Sequence, residues 1–285
     1  MDLVVGVDAG GTGSRAVVAT VRGEIVGRGS AGPGNPLSAG PAAAAAAVAA
    51  AVGEALAGLC PASVVRGVLG IAGPATTAQF APAWAEAGLS CPMRVVGDVV
   101  TAFASGSPAP AGRVLIAGTG AIAAAVRGTS VVRTADGLGW LLGDEGSGRW
   151  IGLRAVRAAV RDWSSPFAAA VATRAGAPSV DAMVAWAHGL PLTQIGGLAP
   201  LVCRLAAQAD PHARAIVAEA VGCLIRTLDE LDASGPVVLG GGLLTAGTPV
   251  RAGVSAVLRS RGVVALTARD PALGAARLAG QEATS

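Results

Sequence analysis

Short apolar runs recur along the chain, and most of them end at glycine or at a pair of turn residues. Runs of this length that are rich in Val, Ile and Leu are typical of buried β-strands. We therefore predict strands over residues 3–7, 15–21, 24–30, 64–71, 93–96, 114–117, 121–126, 237–239 and 263–266.

Longer segments of helix-forming composition separate several of these strands. Alanine-rich stretches, and segments that begin after proline or aspartate, favour helices. The predicted helices cover residues 42–59, 75–87 (opened by Pro74), 99–105, 149–163 and 271–279, with several more before Leu231. Strands that first form hairpins and then alternate with helices indicate an α/β fold, in which helices cover a mixed sheet.

The segment 105–112 consists of small and turn residues and is the best candidate for a linker between domains. Beyond it the order of elements begins again. Strand 114–117, the turn 118–120 and strand 121–126 repeat the arrangement of the first hairpin. This repetition suggests an internal duplication of one α/β unit.

Three glycine-rich turns each follow a predicted buried strand, at residues 8–14, 118–120 and 240–242. Successive backbone N–H groups in such turns form nests that bind phosphate oxygens without a charged side chain. A single glycine-rich turn is usually structural, because glycine is the common residue of tight turns. Three such turns together, two of which contain Thr12 or Thr119, favour nucleotide binding. A β-branched run follows the first turn where a Rossmann or Walker loop requires a helix, so this turn belongs to a hairpin.

All 21 basic residues are arginine, and the chain contains neither lysine nor tyrosine. P-loop NTPases, protein kinases and pyridoxal-phosphate enzymes each need a specific lysine, so the composition excludes these classes. Phosphate binding by backbone nests suits such a chain. Because there are only two histidines, acid–base chemistry falls mainly on the 11 aspartates and 7 glutamates.

Two aspartates that follow predicted strands are candidates for chemistry. Asp8 precedes the first glycine turn, where a carboxylate can hold Mg²⁺, usually through water, beside bound phosphates. A turn aspartate that caps its own loop is the alternative. Asp98 precedes a predicted helix, where it is either an N-cap or a general base that accepts a proton from an attacking hydroxyl. The residues alone leave both choices open.

The loop 137–148 contains five glycines and two acids in front of a predicted helix. Loops of this length and composition are usually functional. Asp144 and Glu145 lie where the helix dipole favours negative charge, so one of them could serve only as a cap. Trp140 is more typical of a packing residue than of a stacking platform.

The remaining composition excludes several partners. The net charge of +3 is scattered, without a basic run, which argues against nucleic-acid binding. The four cysteines lack metal or redox spacing and are expected to be buried free thiols in a reducing cytosol. Residues 29–53 carry no charge, but prolines interrupt them and the rest is mostly alanine, so no membrane span is expected. The chain enters a strand at once, without a signal peptide, and a cytoplasmic location is predicted.

Five segments come in a recognisable order: Val7–Ser14, Gly97-Asp98, Leu115–Gly120, Gly139–Ser147 and Val238–Gly242. Together they resemble the BadF/BadG/BcrA/BcrD ATPase family over essentially the whole chain. Within that family the chain is most similar to the N-acetylglucosamine and glucosamine kinases. The combination of Gly-Thr-Gly with Gly-Asp-Glu-Gly-Ser is the most specific part of the resemblance.

The resemblance implies two duplicated domains of the actin/hexokinase/Hsp70-like (ASKHA, ribonuclease H-like) α/β fold, with ATP in the cleft between them. We place these domains at residues 1–107, joined by a C-terminal helix over 271–285, and at 108–270. The implied reaction is Mg²⁺- and ATP-dependent phosphorylation of the 6-hydroxyl of an amino sugar, and a homodimer is expected. An activator ATPase of the same family would need cysteine ligands for an iron–sulfur cluster, and a sugar sensor or scaffold of the same fold is the other alternative.

Roles for single residues follow from the same resemblance, position by position. Asp98 would be the catalytic base and Asp8 would position Mg²⁺. The residues implied to bind ATP are Gly10, Gly11, Thr12, Gly118, Thr119, Gly120, Gly241 and Gly242. The residues implied to bind the sugar are Asn35, Asp98, Gly137, Leu138, Gly139 and Asp144. Trp140 departs from the family pattern, which has His or another polar residue there, so the substituents of the sugar remain open.

Overall fold

The computed structural model describes residues 1–73, 75–189 and 192–284. Within them the chain forms two compact units. The first comprises Met1–Gly112, Val126–Val132 and Ala268–Ser285, and the second comprises Arg113–Ala125 and Arg133–Thr267. Pro74, predicted to open a helix, and Ser285, predicted to end the last one, lie outside the described residues.

Ten strands and thirteen α-helices make up these units in the described part of the chain. The strands are β1 (Leu3–Ala9), β2 (Ser14–Thr20), β3 (Ile25–Ala31), β4 (Val64–Ile71), β5 (Met93–Gly97), β6 (Ala111–Ala117), β7 (Ala121–Arg127), β8 (Ser130–Asp136), β9 (Val237–Gly240) and β10 (Ala265–Thr267). The helices are α1 (Pro36–Ala39), α2 (Pro41–Ala55), α3 (Thr77–Glu86), α4 (Asp98–Gly106), α5 (Gly148–Arg161), α6 (Pro166–Ala175), α7 (Val180–Gly189), α8 (Leu192–Ile195), α9 (Ala199–Ala207), α10 (Pro211–Asp229), α11 (Gly242–Thr245), α12 (Pro249–Ser260) and α13 (Pro271–Thr284).

The first sheet has the order β3-β2-β1-β4-β5. Its first three strands pair antiparallel, and β4 and β5 continue the sheet in parallel with β1. The central strand β1 is almost entirely buried, which agrees with its continuous apolar sequence. This places the carboxyl ends of β1, β4 and β5 at one edge of the sheet.

Helix α13 packs directly against β1 through glycine. A Cβ atom on Gly6 would lie 2.0 Å from the backbone nitrogen of Ala276, so only glycine permits this approach. In the same way, a Cβ atom on Gly274 of α13 would lie 2.1 Å from the carbonyl oxygen of Thr101 in α4. The last helix is therefore part of the first unit and holds both β1 and α4.

The second sheet has the order β10-β9-β6-β7-β8. Read from β8, it repeats the first sheet: three strands that are consecutive in the chain come first, followed by two later strands that run parallel to the central one. The predicted α/β fold with two duplicated sheets is confirmed. Its core contains buried aliphatic side chains such as Leu115, Ile151 and Leu224.

Several predicted boundaries are wrong. Strand β6 begins at Ala111 and α4 extends to Gly106, so the linker predicted over 105–112 is shorter than expected. Helix α2 ends at Ala55 instead of residue 59, and Gly58 adopts a positive φ of 78°. Four elements, β8, α1, α11 and α12, were not predicted from the sequence. Strand β8 was hard to detect because its first five residues are all exposed.

Two expectations from the composition concern membrane-spanning helices and the four cysteines. In the described ranges, no helix combines the length and the apolar character that a membrane crossing requires. All four cysteines are free. Cys203 and Cys223 are buried as predicted, but Cys60 is exposed and Cys91 half-buried, so the prediction of buried thiols is wrong for Cys60.

Candidate functional site

The turn between β1 and β2 is closed by backbone hydrogen bonds. The N–H of Gly10 donates to the carbonyl oxygen of Gly13 at 3.0 Å. The carbonyl oxygen of Gly10 accepts from the N–H groups of Gly34 at 3.0 Å and Asn35 at 3.2 Å. Gly11 and Thr12, at the tip, are exposed. These hydrogen bonds hold the base of the turn, and its tip is accessible to a ligand.

Asp8 is half-buried one residue before the end of β1, opposite Arg15 of β2. Burial is the main cause that raises the pKa of Asp8 from 3.8 to about 6. The Arg15 guanidinium lowers this pKa, whereas the carboxylates of Asp98 and Asp270 raise it. Asp8 therefore lies in a position where negative charge is only partly compensated.

Asp98 is the first residue of α4, directly after β5. Burial raises the pKa of Asp98, and the N–H of Val99, which donates to Asp98 Oδ1 at 2.8 Å, partly opposes this effect. The N-cap of α4 is Gly97, so the interpretation of Asp98 as an N-cap is wrong. Asp8 and Asp98 both lie in the first unit and interact electrostatically.

Asp270 belongs to the same unit and was not predicted. Its carboxylate accepts from the N–H of Ala272 at the start of α13, at 3.1 Å, and forms an ion pair with Arg28 at 2.9 Å. Asp270 therefore anchors α13 and also contributes negative charge that acts on Asp8. In the sequence, the Asp-Pro pair at 270–271 is typical of any helix start. The effect of Asp270 on the pKa of Asp8 could therefore not be predicted from it.

Asn35 is buried and caps the short helix α1. Its Oδ1 accepts from the N–H of Leu37 at 2.9 Å, and its Nδ2 donates to the carbonyl oxygen of Ala72 at 3.1 Å. These bonds give the only asparagine of the chain a structural role. The side chain still has a second lone pair and a second N–H for a ligand.

The turn between β6 and β7 has more support than its counterpart in the first unit. The N–H of Gly118 donates to Gly120 at 2.9 Å, and the carbonyl oxygen of Gly118 accepts from Gly148, the first residue of α5, at 2.7 Å. The buried carboxylate of Asp144 accepts from the N–H of Ala121 at 3.0 Å. A Cβ atom on Gly120 would lie 2.7 Å from this carboxylate. The turn is fixed at both ends.

A cavity of about 590 Å³ opens beside this turn in the second unit. It is lined by Gly118, Thr119, Gly148, Gly196, Gly197, Ala199, Pro200, Cys203, Gly242, Leu243, Ala246 and Thr248. Three of the predicted ATP-binding residues, Gly118, Thr119 and Gly242, share its wall. Gly241, the next residue along the chain from β9, has a φ of 78°, and a Cβ atom on it would lie only 2.4 Å from the Ala117 oxygen, so this position requires glycine. Open, mostly apolar walls near a polar turn suit a nucleoside beside its phosphates.

The loop 137–148 leads into α5. Ser147, and neither acid, caps this helix, and its Oγ accepts from the N–H of Trp150 at 3.2 Å. The expectation that Asp144 or Glu145 is the cap is therefore wrong. Trp140 is 41% exposed, so its interpretation as a packing residue is also wrong. Leu138 and Gly137, predicted at the sugar, are exposed as well.

The predicted residues divide between the two units. The first unit contains Asp8, Asn35, Asp98 and the turn Gly10-Gly11-Thr12. The second unit contains Asp144, the turns around Thr119 and Gly242, and the loop from Gly137 to Gly139. Sequence reasoning missed Asp136, whose carboxylate accepts two loop N–H groups. Gly196 and Gly197, which line the cavity, were not predicted either. The sequence marks them only as a pair of glycines within a region of predicted helices.

The chain matches the family model of the BadF/BadG/BcrA/BcrD ATPase family over residues 5–279. It is 30% identical to a Chromobacterium violaceum protein provisionally named as an N-acetylglucosamine kinase, with a TM-score of 0.77, covering 98% of this chain and 99% of that one. A Porphyromonas gingivalis protein with the same provisional name is 21% identical, with a TM-score of 0.76 and coverage of 99% and 100%. A ROK-family glucokinase from Streptomyces griseus, solved with glucose and AMPPNP, is 23% identical, with a TM-score of 0.62 and coverage of 98% and 99%. No curated protein matches the chain.

Proposed function

Because the chain belongs to the BadF/BadG/BcrA/BcrD ATPase family, we propose that it transfers the γ-phosphoryl group of ATP to the 6-hydroxyl of N-acetylglucosamine or glucosamine. That it is a sugar-kinase-like ATPase follows from the family and from the sugar kinases it resembles. The choice of an amino sugar is supported by the name of the Chromobacterium protein. The same proposal places the enzyme in the cytoplasm, where ATP is available, as a homodimer.

The observation that carries the proposal is the environment of Asp98. A general base works best when its pKa approaches the working pH, and burial raises the pKa of Asp98 in that direction. Asp98 Oδ1 is fixed by the N–H of Val99, which holds the carboxylate in one orientation. Asp98 would accept the proton of the attacking hydroxyl.

Mg²⁺ fits the residues around Asp8. Carboxylate oxygens are suitable ligands for this ion, and a cation beside Asp8 would relieve the repulsion from Asp98 and Asp270. In the described ranges, no group of three His, Cys, Asp or Glu residues could hold a metal alone. Asp8 would therefore hold Mg²⁺ together with water and the phosphates of ATP, which is the usual arrangement. The bound ion would neutralise charge on the transferred phosphoryl group.

ATP has candidate contacts in each unit. In the second, the adenosine would occupy the cavity beside Gly242, and the backbone at Thr119 would bind phosphate oxygens. In the first, Gly10, Gly11 and Thr12 would supply a second nest. These contacts replace the lysine that other nucleotide-binding folds use, and the chain has none.

Each unit contains candidate sugar-binding residues: Asn35 and Asp98 in the first unit, and Asp144 and the loop from Gly137 to Gly139 in the second. Asn35 and Asp144 already have protein partners, yet each retains hydrogen-bonding capacity for a hydroxyl. The exposed Leu138 and Trp140 give the loop an apolar surface. Such a surface is compatible with an N-acyl substituent on the sugar.

An ADP-release assay over hexoses, amino sugars and muramic derivatives tests this proposal. We expect ADP release to require N-acetylglucosamine or glucosamine, with the phosphate on the 6-oxygen by ³¹P–¹H NMR. The 6-deoxy analogue is the matched control, because it can occupy the site but offers no 6-hydroxyl. ATP hydrolysis without a phosphorylated sugar would contradict the kinase and favour the activator or scaffold alternatives. Iron in the purified protein would specifically favour the activator.

A further inference from the structure

Asp136 ends β8 and holds the loop that follows it. One of its carboxylate oxygens accepts from the N–H of Asp144 at 2.6 Å, and the other accepts from the N–H of Glu145 at 2.9 Å. Gly143 lies against the same carboxylate, because a Cβ atom there would be 2.1 Å from Asp136 Oδ1. A single side chain thus fixes three successive loop residues.

Asp144 continues this connection to the turn between β6 and β7. Its backbone adopts a φ of 58°, and Asp136 itself adopts a φ of 59°. Residues other than glycine rarely adopt this left-handed conformation, and it persists only where the surroundings enforce it. The side chain of Asp144 then accepts from the N–H of Ala121, directly after the turn 118–120. Two hydrogen-bonded steps therefore join Asp136 to this turn.

A carboxylate suits the position of Asp136 better than other side chains. Its two oxygens accept from two N–H groups that converge on it, and charged acceptors form stronger bonds than neutral ones. Asparagine tolerates the same backbone conformation, but it has only one acceptor oxygen. Its NH₂ group is a donor and cannot accept a hydrogen bond from the second N–H. The pattern is specific to an aspartate that is engaged on both oxygens.

We propose that Asp136 is a positioning residue for phosphoryl transfer: it sets the backbone of Asp144, and through Asp144 the conformation of the turn 118–120. The part of this inference that concerns catalysis rests on the proposed kinase function. Because the loop after Asp136 also carries the sugar-binding candidates, Asp136 would influence sugar and ATP together. A residue that only stabilised the fold would not have this paired effect.

Three variants test the inference. Asp136→Gly removes both acceptors and keeps the positive φ accessible. Asp136→Asn keeps the conformation and one acceptor. Asp210→Ala is the matched control, because Asp210 also accepts a backbone N–H in the second unit, from Ala213 at 2.9 Å, but caps α10 and has no bond to the loop. Its loss costs about 0.5–2 kcal/mol of stability.

The first measurement is hydrogen exchange of the peptide that contains Ala121, followed by mass spectrometry. We expect exchange there to become at least about tenfold faster in Asp136→Gly, because the loss of both hydrogen bonds lowers the free energy of local opening. The increase should be smaller in Asp136→Asn, and Asp210→Ala should exchange at the wild-type rate. The second measurement is steady-state kinetics. We expect the KM values for ATP and sugar to rise together, by about fivefold or more, only in the Asp136 variants.

Unchanged exchange at Ala121 in Asp136→Gly would overturn the inference, whatever the kinetics. A lower Tm with unchanged KM values in an active enzyme would also overturn it and leave Asp136 a purely structural residue. If the wild-type protein phosphorylates no sugar, the kinase proposal fails, but the exchange measurement still decides whether Asp136 controls the turn. If Asp136→Gly does not fold, Gly143→Ala, which displaces the same carboxylate from the other side, provides the same readouts.

Discussion

The turns after β1 and β6 occupy the same place in the two sheets, yet different groups support them. The β1–β2 turn is held by backbone N–H groups of Gly34 and Asn35. The β6–β7 turn is held by the carboxylate of Asp144 and by the start of α5. One duplicated backbone therefore carries two different sets of supporting contacts.

The residues just before these turns differ in the same way. Asp8 is the penultimate residue of β1, whereas Ile116 is the penultimate residue of β6. The first unit gathers acids with raised pKa values around this edge, and the second unit has an open cavity there instead. The two copies thus share a scaffold but differ at this edge: the first unit carries buried acids, and the second carries an open cavity.

The strongest test of this division is Asp98→Asn. The amide keeps the bond from the N–H of Val99 but cannot accept a proton from the sugar, so we expect kcat to fall by about 10²–10⁴-fold with a smaller change in sugar affinity. Coupled ADP-release kinetics and sugar titration calorimetry measure the two effects. Asp232→Asn, an exposed aspartate in the second unit, is the control and should retain full activity. Near-normal turnover in a folded Asp98→Asn variant would show that Asp98 is not the catalytic base.

The next test is Asp8→Asn, which should separate activity from stability. In the proposed reaction the Asp8 carboxylate would hold Mg²⁺, so we expect turnover to fall by about 10²-fold or more in this variant. In the wild-type protein, EDTA should abolish activity and added Mg²⁺ should restore it. Metal-independent phosphoryl transfer would contradict the assignment.

The same variant should be more stable than the wild type near neutral pH. Because the pKa of Asp8 is raised to about 6 in the folded protein, the folded state binds more protons than the unfolded state between pH 4 and 6, and stability falls as pH rises through this range. Asparagine cannot ionise, so we expect Asp8→Asn to gain about 1–2 kcal/mol at pH 7.5, after allowance for partial exposure. The gain should shrink toward pH 4. Urea unfolding at both pH values measures it, and a loss of stability at pH 7.5 would disprove the burial argument.

The smallest expected effect is at the cavity of the second unit. A Cβ atom on Gly242 meets nothing within 4 Å, so Gly242→Leu should fold normally and place its side chain in the cavity. We expect the KM for ATP to rise on the order of tenfold, equivalent to about 1.4 kcal/mol, with little change in Tm or in the KM for sugar. Gly241→Ala is the contrasting variant, since its positive φ and the nearby Ala117 oxygen should make it lose stability instead. Equal behaviour of the two variants would contradict the proposed cavity.

Much of the fold could be predicted because buried strands carry a strong sequence signal. β4 was predicted at its observed bounds, since Val, Leu and Ile dominate its sequence and its last five residues are buried. β8 could not be, because its valines lie on an exposed surface among polar residues. Helix α12 does carry a sequence signal: Thr248 precedes Pro249, and apolar residues that are buried in the structure follow at positions 250, 254 and 258.

Candidate site residues could be proposed from sequence only where the signal is local. Asp8 lies near the end of β1 and Asp98 directly after β5, and strand ends at one sheet edge are where ligands bind in α/β folds. Asp136 could not be recognised, because an aspartate before glycine is typical of any turn, and its bonds to residues 144 and 145 depend on the folded loop. Which residues line the cavity likewise depends on segments far apart in sequence.

The packing of α13 on β1 has a consequence for how the protein is made. β1 leaves the ribosome well before α13, because all of the second unit lies between them in the chain. At about 5–20 residues per second, the gap between them lasts on the order of ten seconds or more. During this time the face of β1 around Gly6, which α13 covers in the folded protein, has no partner. In the second unit the corresponding separation, from β6 to β10, is shorter. The core of the first unit therefore stays incomplete for longer during synthesis than the core of the second.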